Sequence, residues 1–131
     1  MRARYAAVMD REDLTPRDQL SRILASYVAY ALEHPNHYHM WFVTSDSRLE
    51  EGVPRMHHGH QSFTVFRPWL VSIDGCLRMG MWPGRERLEV FQTLWARVHG
   101  MIALRLQHQD FPWLPVAQQL ATVMDLGEPG A

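Results

Sequence analysis

The chain has 131 residues, of which 47% are hydrophobic and 21% charged, with a formal net charge of -1. That suits one globular domain with a real core and is too short for two. The near-neutral balance offers no electrostatic basis for this chain to bind nucleic acid. All 13 basic residues are arginine, and a single cysteine, Cys76, rules out an internal disulfide and fits a reducing compartment. No apolar run approaches the roughly 18 residues of a membrane span and no secretory leader is legible, so a cytoplasmic protein without membrane contact is expected.

Residues 1–13 suit a short helix with Tyr5, Val8 and Met9 on one side. Thr15-Pro16 is a helix start, with threonine as N-cap, proline at the first helical position and Asp18 in the first turn. Leu20, Ile23, Leu24, Tyr27, Val28 and Ala31 then recur three and four residues apart, an amphipathic helix that His34-Pro35 should end. Asn36 can cap a short helix over residues 37–43 carrying Tyr38, Trp41 and Phe42. From Thr44 to Arg55 the composition turns to Ser, Asp, Glu, Gly and Pro, which predicts a loop. Periodicity resumes at Phe63, Phe66, Leu70, Ile73 and Leu77, with Pro68 inside the run, where the helix should kink or divide. A kink among large side chains is one way to line a cavity. Gly75 further along either loosens that helix or admits a close packing contact.

The segment GMWPG at 80–84 predicts a turn. The next helix, Arg87–Gln107, reads as the element around which the chain is organised. Leu88, Phe91, Trp95, Val98, Ile102 and Leu106 form one stripe, expected to face the core. A second stripe, Val90, Leu94, Met101 and Leu104, is expected to face outward. Gly100 sits mid-helix, where glycine costs about 1 kcal/mol against alanine, so close approach by a neighbour or ligand is the expected benefit. Phe111-Pro112-Trp113-Leu114-Pro115 makes a stiff corner. A last helix then carries Val116, Leu120, Val123 and Met124, with Gly127 as terminator. No stretch alternates with period two and no repeat is visible. The fold class is therefore all-α, with five or six helices.

The residues Trp95, His99 and Gly100, spaced W-x-x-x-H-G, resemble the signature of the TetR-family regulatory domain in its Trp-His-Gly subgroup. Ala31, His34, Pro35 and Tyr38 are similar to that subgroup's first regulatory helix and its His-Pro end. The resemblance covers Leu14 to about Val123. It implies a single helical domain, with residues 1–13 as the end of a linking helix, 14–126 as ligand-binding and dimerisation helices, and 127–131 as a tail. Such regulators carry an N-terminal helix-turn-helix, and nothing in this chain resembles a recognition helix. The implied role is the sensing and dimerising half of a transcriptional regulator and not an enzyme. Its ligand would control DNA binding by a head absent from this chain.

The expected partners are a small apolar or aromatic effector and a second copy of the chain. The candidate ligand-binding residues are Tyr27, Tyr38, Trp41, Phe42, Phe63, Phe66, Trp69, Ile73, Trp95 and His99, each of which core packing alone could also explain. The candidate dimer interface is Val90, Leu94, Met101 and Leu104 with Val116, Leu120 and Val123, two helices from each subunit; burial of both stripes within one subunit is the alternative. No cofactor is expected and no nucleophile with base and orienter is legible. Two histidine groups, His34/His37/His39 and His57/His58/His60, could bind a transition metal, or be solvent-exposed loop residues without matching ligands. A stand-alone helical sensor or partner protein without DNA binding is the alternative function.

Overall fold

The computed structural model describes residues 2–36 and 55–127, with side chains described over 3–36 and 66–127. Among them are five helices and no strand: α1 (Arg2–Met9), α2 (Pro16–Glu33), α3 (Arg55–Arg78), α4 (Arg87–Gln107) and α5 (Val116–Val123). The all-α expectation holds. The expected short helix over 37–43 lies outside the described residues, as does the expected loop from Thr44 to Arg55 except for Arg55, which begins α3.

The element that touches every other is α2, which packs against α1, α3, α4 and α5. The sequence reading gave that place to α4. The reason is visible in the side chains: Leu20, Ile23, Leu24 and Val28 are fully buried and Tyr27 and Ala31 nearly so. This helix starts as anticipated, with the Thr15 hydroxyl accepting from the Asp18 amide at 3.1 Å and Pro16 in the first turn. It stops at His34, whose backbone amide donates to the Tyr30 carbonyl at 2.9 Å and whose ring stacks on Tyr30 at 4.4 Å. Proline next in the chain denies the helical region to His34, so the last turn closes there.

The N-terminal end of α2 meets α3 at unusually short range. A Cβ built on Gly75 would lie 2.8 Å from Cβ of Pro16 and 3.0 Å from its Cγ. Gly75 is therefore a packing contact, set by the proline ring that starts α2. Across the same contact the buried Ser72 hydroxyl donates to Gln19 Oε1 at 3.1 Å. Pro68 does not divide α3, which runs from Arg55 through Arg78 as one helix. The backbone carrying His57, His58 and His60 belongs to this helix, so these residues are not in a loop as read from the sequence.

The turn between α3 and α4 follows the GMWPG expectation, with Gly80 and Gly84 at φ of 91° and 81°. Trp82 also takes a positive φ, 51°, which is costly for a bulky side chain. Burial of its ring and a 2.9 Å bond from Nε1 to the Met124 carbonyl hold it there. Arginines of α4 fasten α5. Arg97 donates to the carbonyls of Val123 at 3.0 Å and Asp125 at 2.9 Å, closing the carbonyl end of α5. Arg105 donates to the Leu114 carbonyl at 2.6 Å and to Gln119 Oε1 at 2.8 Å, its guanidinium lying 5.5 Å from the Trp113 ring centre. The last helix ends at Val123, short of the Gly127 terminator read from the sequence; Gly127 takes φ of 70° in the turn beyond.

The stripes of α4 face differently from the expectation. Val90, Leu94 and Met101 are buried in this chain's own core together with Val98 and Ile102. Leu88, assigned to the core, is 57% exposed, and Leu104 is 46% exposed. In α5, Leu120 and Val123 are buried and Val116 is half-buried against the core. The two stripes are adjacent parts of one broad apolar arc, and the arc's middle, not either edge, points inward. Of the expected interface residues, only Leu104 presents its side chain freely to a partner.

Replacing Gly75 by alanine puts a methyl group into the Pro16 ring. The expected result is a loss of about 1–3 kcal/mol despite alanine's better helix propensity. Urea unfolding of the variant checks it; an unchanged or raised midpoint would remove the close contact from the account.

Candidate functional site

Aromatic rings from α2, α3 and α4 meet beside the core. Trp69 on α3 is fully buried and stands edge-on to Tyr27 of α2 at 5.2 Å and to Phe66 at 5.3 Å, with Phe91 of α4 at 6.0 Å. Phe66 touches Trp95 at 4.8 Å and Phe91 at 5.3 Å, and Phe91 stacks along Trp95 at 5.9 Å. Helical spacing explains the gathering: Phe66 and Trp69 are three apart on α3, and Phe91 and Trp95 four apart on α4. The edge-on geometries place positive ring edges against negative ring faces, worth about 0.5–1.5 kcal/mol each beyond the area buried.

The cluster is graded in depth. Tyr27, Phe66 and Trp69 form a buried floor, while Phe91 and Trp95 are half-buried at its side. His99, one turn beyond Trp95, is also half-buried, and burial lowers its pKa below the ordinary 6.5. The floor is tied to α1. Trp69 Nε1 donates to the Tyr5 hydroxyl at 3.2 Å, and Tyr5 is itself buried. Burial pushes the Tyr5 hydroxyl far above its ordinary pKa, with the Trp69 bond a smaller opposing effect, so the phenol stays neutral. One turn on from Trp69, the Ser72 hydroxyl also lies 3.9 Å from Met9 Sδ at the end of α1.

Of the ten expected ligand-binding residues, the structure brings together Tyr27, Phe66, Trp69 and Trp95. His99 follows at the edge. Ile73 lies fully buried one turn below Trp69. Tyr38, Trp41, Phe42 and the Phe63 side chain lie outside the described residues. Phe91 was missed: its place on a stripe read as core hid its contacts to three of the other rings. Tyr5 and Ser72 were missed as well, because a bond across 64 residues of sequence leaves no periodic trace. Among the described residues no group of three or more metal-ligating side chains is assembled, and of the six histidines in the two groups only His34 has a described side chain. No described helix is long and apolar enough to cross a membrane.

An all-helical chain with an aromatic cluster tied to its first helix, and with Trp95, His99 and Gly100 on α4, accords with the resemblance drawn from its sequence. Residues 20–124 match the model of the tetracycline repressor-like C-terminal domain. The chain belongs to that family. The matched stretch runs from Leu20, within α2, to Met124, just past α5, and contains every ring of the cluster. Members of this family are, in general, regulatory domains and not enzymes. No curated protein and no solved structure matches the chain.

The lowered pKa of His99 has a consequence for stability. A histidine whose folded pKa is depressed favours the fold in its neutral form. Its contribution is complete above the ordinary 6.5 and is lost as pH falls through the lower folded value. His99→Gln is neutral throughout, so the stability difference between the two proteins should change as pH is taken from above 7 to below 6. Parallel denaturant curves check this; a difference independent of pH would contradict the shift.

Proposed function

We propose that this domain senses a small, mainly apolar or aromatic compound for a transcriptional regulator, and that it acts as a homodimer. The observation that carries the reading is Trp69. It is the floor of the aromatic cluster and at the same time the donor that holds Tyr5 of α1. An aromatic effector taking up ring contacts at Phe66, Phe91 and Trp95 would change the packing that holds the Trp69 indole. Any shift of that indole lengthens or releases its bond to α1. The effector shifts the equilibrium only to the extent that it binds one α1 position better than the other. Regulation then follows if α1 leads to DNA-reading residues outside this sequence, since the spacing of two such heads across a dimer sets their fit to half-sites. The half-buried His99 is the polar group that an apolar site of this kind needs to orient its ligand.

The test is a thermal-shift screen of small aromatic compounds, with indole as the first probe. A compound bound only by the folded state raises stability by about 2.7 kcal/mol at a hundred times its dissociation constant. The shift should vanish in Trp95→Ala and persist in Tyr5→Phe, which keeps the ring and loses the hydroxyl. A shift that survives Trp95→Ala would place binding elsewhere in the chain.

A further inference from the structure

The seam between α1 and α3 has a second contact beside the Tyr5–Trp69 bond. Tyr5 and Met9 are one turn apart on α1, and Trp69 and Ser72 one turn apart on α3, so the two pairs meet side by side. At the second contact Met9 Sδ lies 3.9 Å from Ser72 Oγ. Ser72 is buried, and its hydroxyl has a single proton to donate. That proton goes to Gln19 Oε1 of α2 at 3.1 Å, because an amide oxygen accepts far better than a thioether sulfur. Helices α1 and α2 thus compete for one donor on α3, and α2 holds it. Met9 is half-buried, which leaves part of it open to a small oxidant. A hydroxyl-to-oxygen hydrogen bond spans about 2.7 Å, so the 3.9 Å between sulfur and hydroxyl is room for one added oxygen atom.

We propose that Met9 is an oxidation site whose sulfoxide takes the Ser72 proton from Gln19 and fastens α1 to α3. The oxidant is a hydroperoxide, with hydrogen peroxide the simplest. A lone pair of the thioether sulfur attacks one peroxide oxygen, the S–O bond forms and the O–O bond breaks. Sulfur loses two electrons and the peroxide gains them. The proton on the transferred oxygen passes to the leaving oxygen, which departs as water, or as an alcohol from an organic peroxide. Sulfoxide reductases reverse the modification, so the contact can recover.

Oxidation turns a flexible apolar side chain into a polar one. Left without a donor in a half-buried place, the new oxygen would be unfavourable, and the Ser72 hydroxyl is the donor within reach. The hydroxyl turns to it, and Gln19, half-buried on α2, turns to water. Helix α1 is then held at Tyr5 by Trp69 and at Met9 by Ser72, both from one turn of α3. This input to α1 does not rest on the effector reading, since it leaves the rings of Phe66, Phe91 and Trp95 unoccupied. The other methionines with described side chains differ in setting. Met79 is 64% exposed, Met81 is half-buried, and Met101 and Met124 are buried in the core.

Graded hydrogen peroxide on the full chain, read by peptide mass spectrometry, tests the site, with exposed Met79 as internal standard. The native Cys76 is buried, and burial pushes its thiol pKa to about 11, so thiol oxidation does not intrude. Met9 should convert to sulfoxide while Met101 and Met124 remain reduced. Amide hydrogen exchange over residues 5–10 should then slow about fivefold, the factor that one net hydrogen bond supports. Met9→Leu and Ser72→Ala should each lose that slowing. Met9→Gln carries an amide oxygen at similar reach, so it should show the slow exchange without any oxidant. Met9 still reduced when Met79 is fully oxidised overturns the proposal. So does faster exchange in α1 after Met9 oxidation, equal slowing in Ser72→Ala, or unslowed exchange in Met9→Gln.

Discussion

The fold depends on how closely α2 lies against α3. At one end Pro16 presses on Gly75, where any side chain would collide, and along the contact Leu20, Ile23, Leu24 and Val28 are sealed from water. Burying a leucine- or isoleucine-sized side chain is worth roughly 1.5–3 kcal/mol. Those four residues are thus a large share of a domain's usual net stability of about 5–15 kcal/mol, before the entropy of ordering is set against them. Because α2 also touches α1, α4 and α5, a change in its seating on α3 reaches every helix described.

That seating explains how a hydrophobic core and an aromatic cluster occupy the same few turns. Tyr27 faces α3 from the same side of α2 as Leu20, Ile23 and Leu24, and meets Trp69 edge-on at 5.2 Å. Trp69 in turn is one turn from Ser72, which bonds Gln19 of α2. The polar contacts to α1 and α2 therefore issue from one short stretch of α3, with the aromatic contacts issuing from the same stretch. Nothing about α1 itself is strongly anchoring: it is two turns long and, apart from Tyr5, Val8 and Met9, mostly exposed. Its polar ties are the buried bond to Trp69 and an exposed Arg4–Glu33 ion pair at 2.9 Å, the latter of little energetic weight.

The other end of the molecule is built in the opposite way. Arg97, Arg105 and Trp82 all donate to backbone carbonyls of the corner before α5 or of the residues that end it. The positive φ of Trp82 is strain accepted in order to place an indole under Met124. These bonds fasten α5 to α4 at both of its ends.

Much was legible without the structure. Apolar spacing gave the helical class, Thr15-Pro16 the start of α2, His34-Pro35 its end, and the glycines around Trp82 the turn, because each depends on interactions within a few residues. The motif at Trp95, His99 and Gly100, together with the His34-Pro35 end of α2, carried the family resemblance for the same local reason: each lies within a turn or two of a single helix. Where reading failed, the deciding partner was distant in sequence. Whether Val90, Leu94 and Met101 face their own core or a second copy depends on where α2 and α5 lie around α4, and a helix with a broad apolar arc satisfies both patterns equally. The Tyr5–Trp69 bond and the Pro16–Gly75 contact are of the same kind, each joining residues about 60 apart in the chain. Sequence determined which helices form and what family they belong to; only the tertiary structure decided which helix is central, which face of α4 is buried and which ring holds α1.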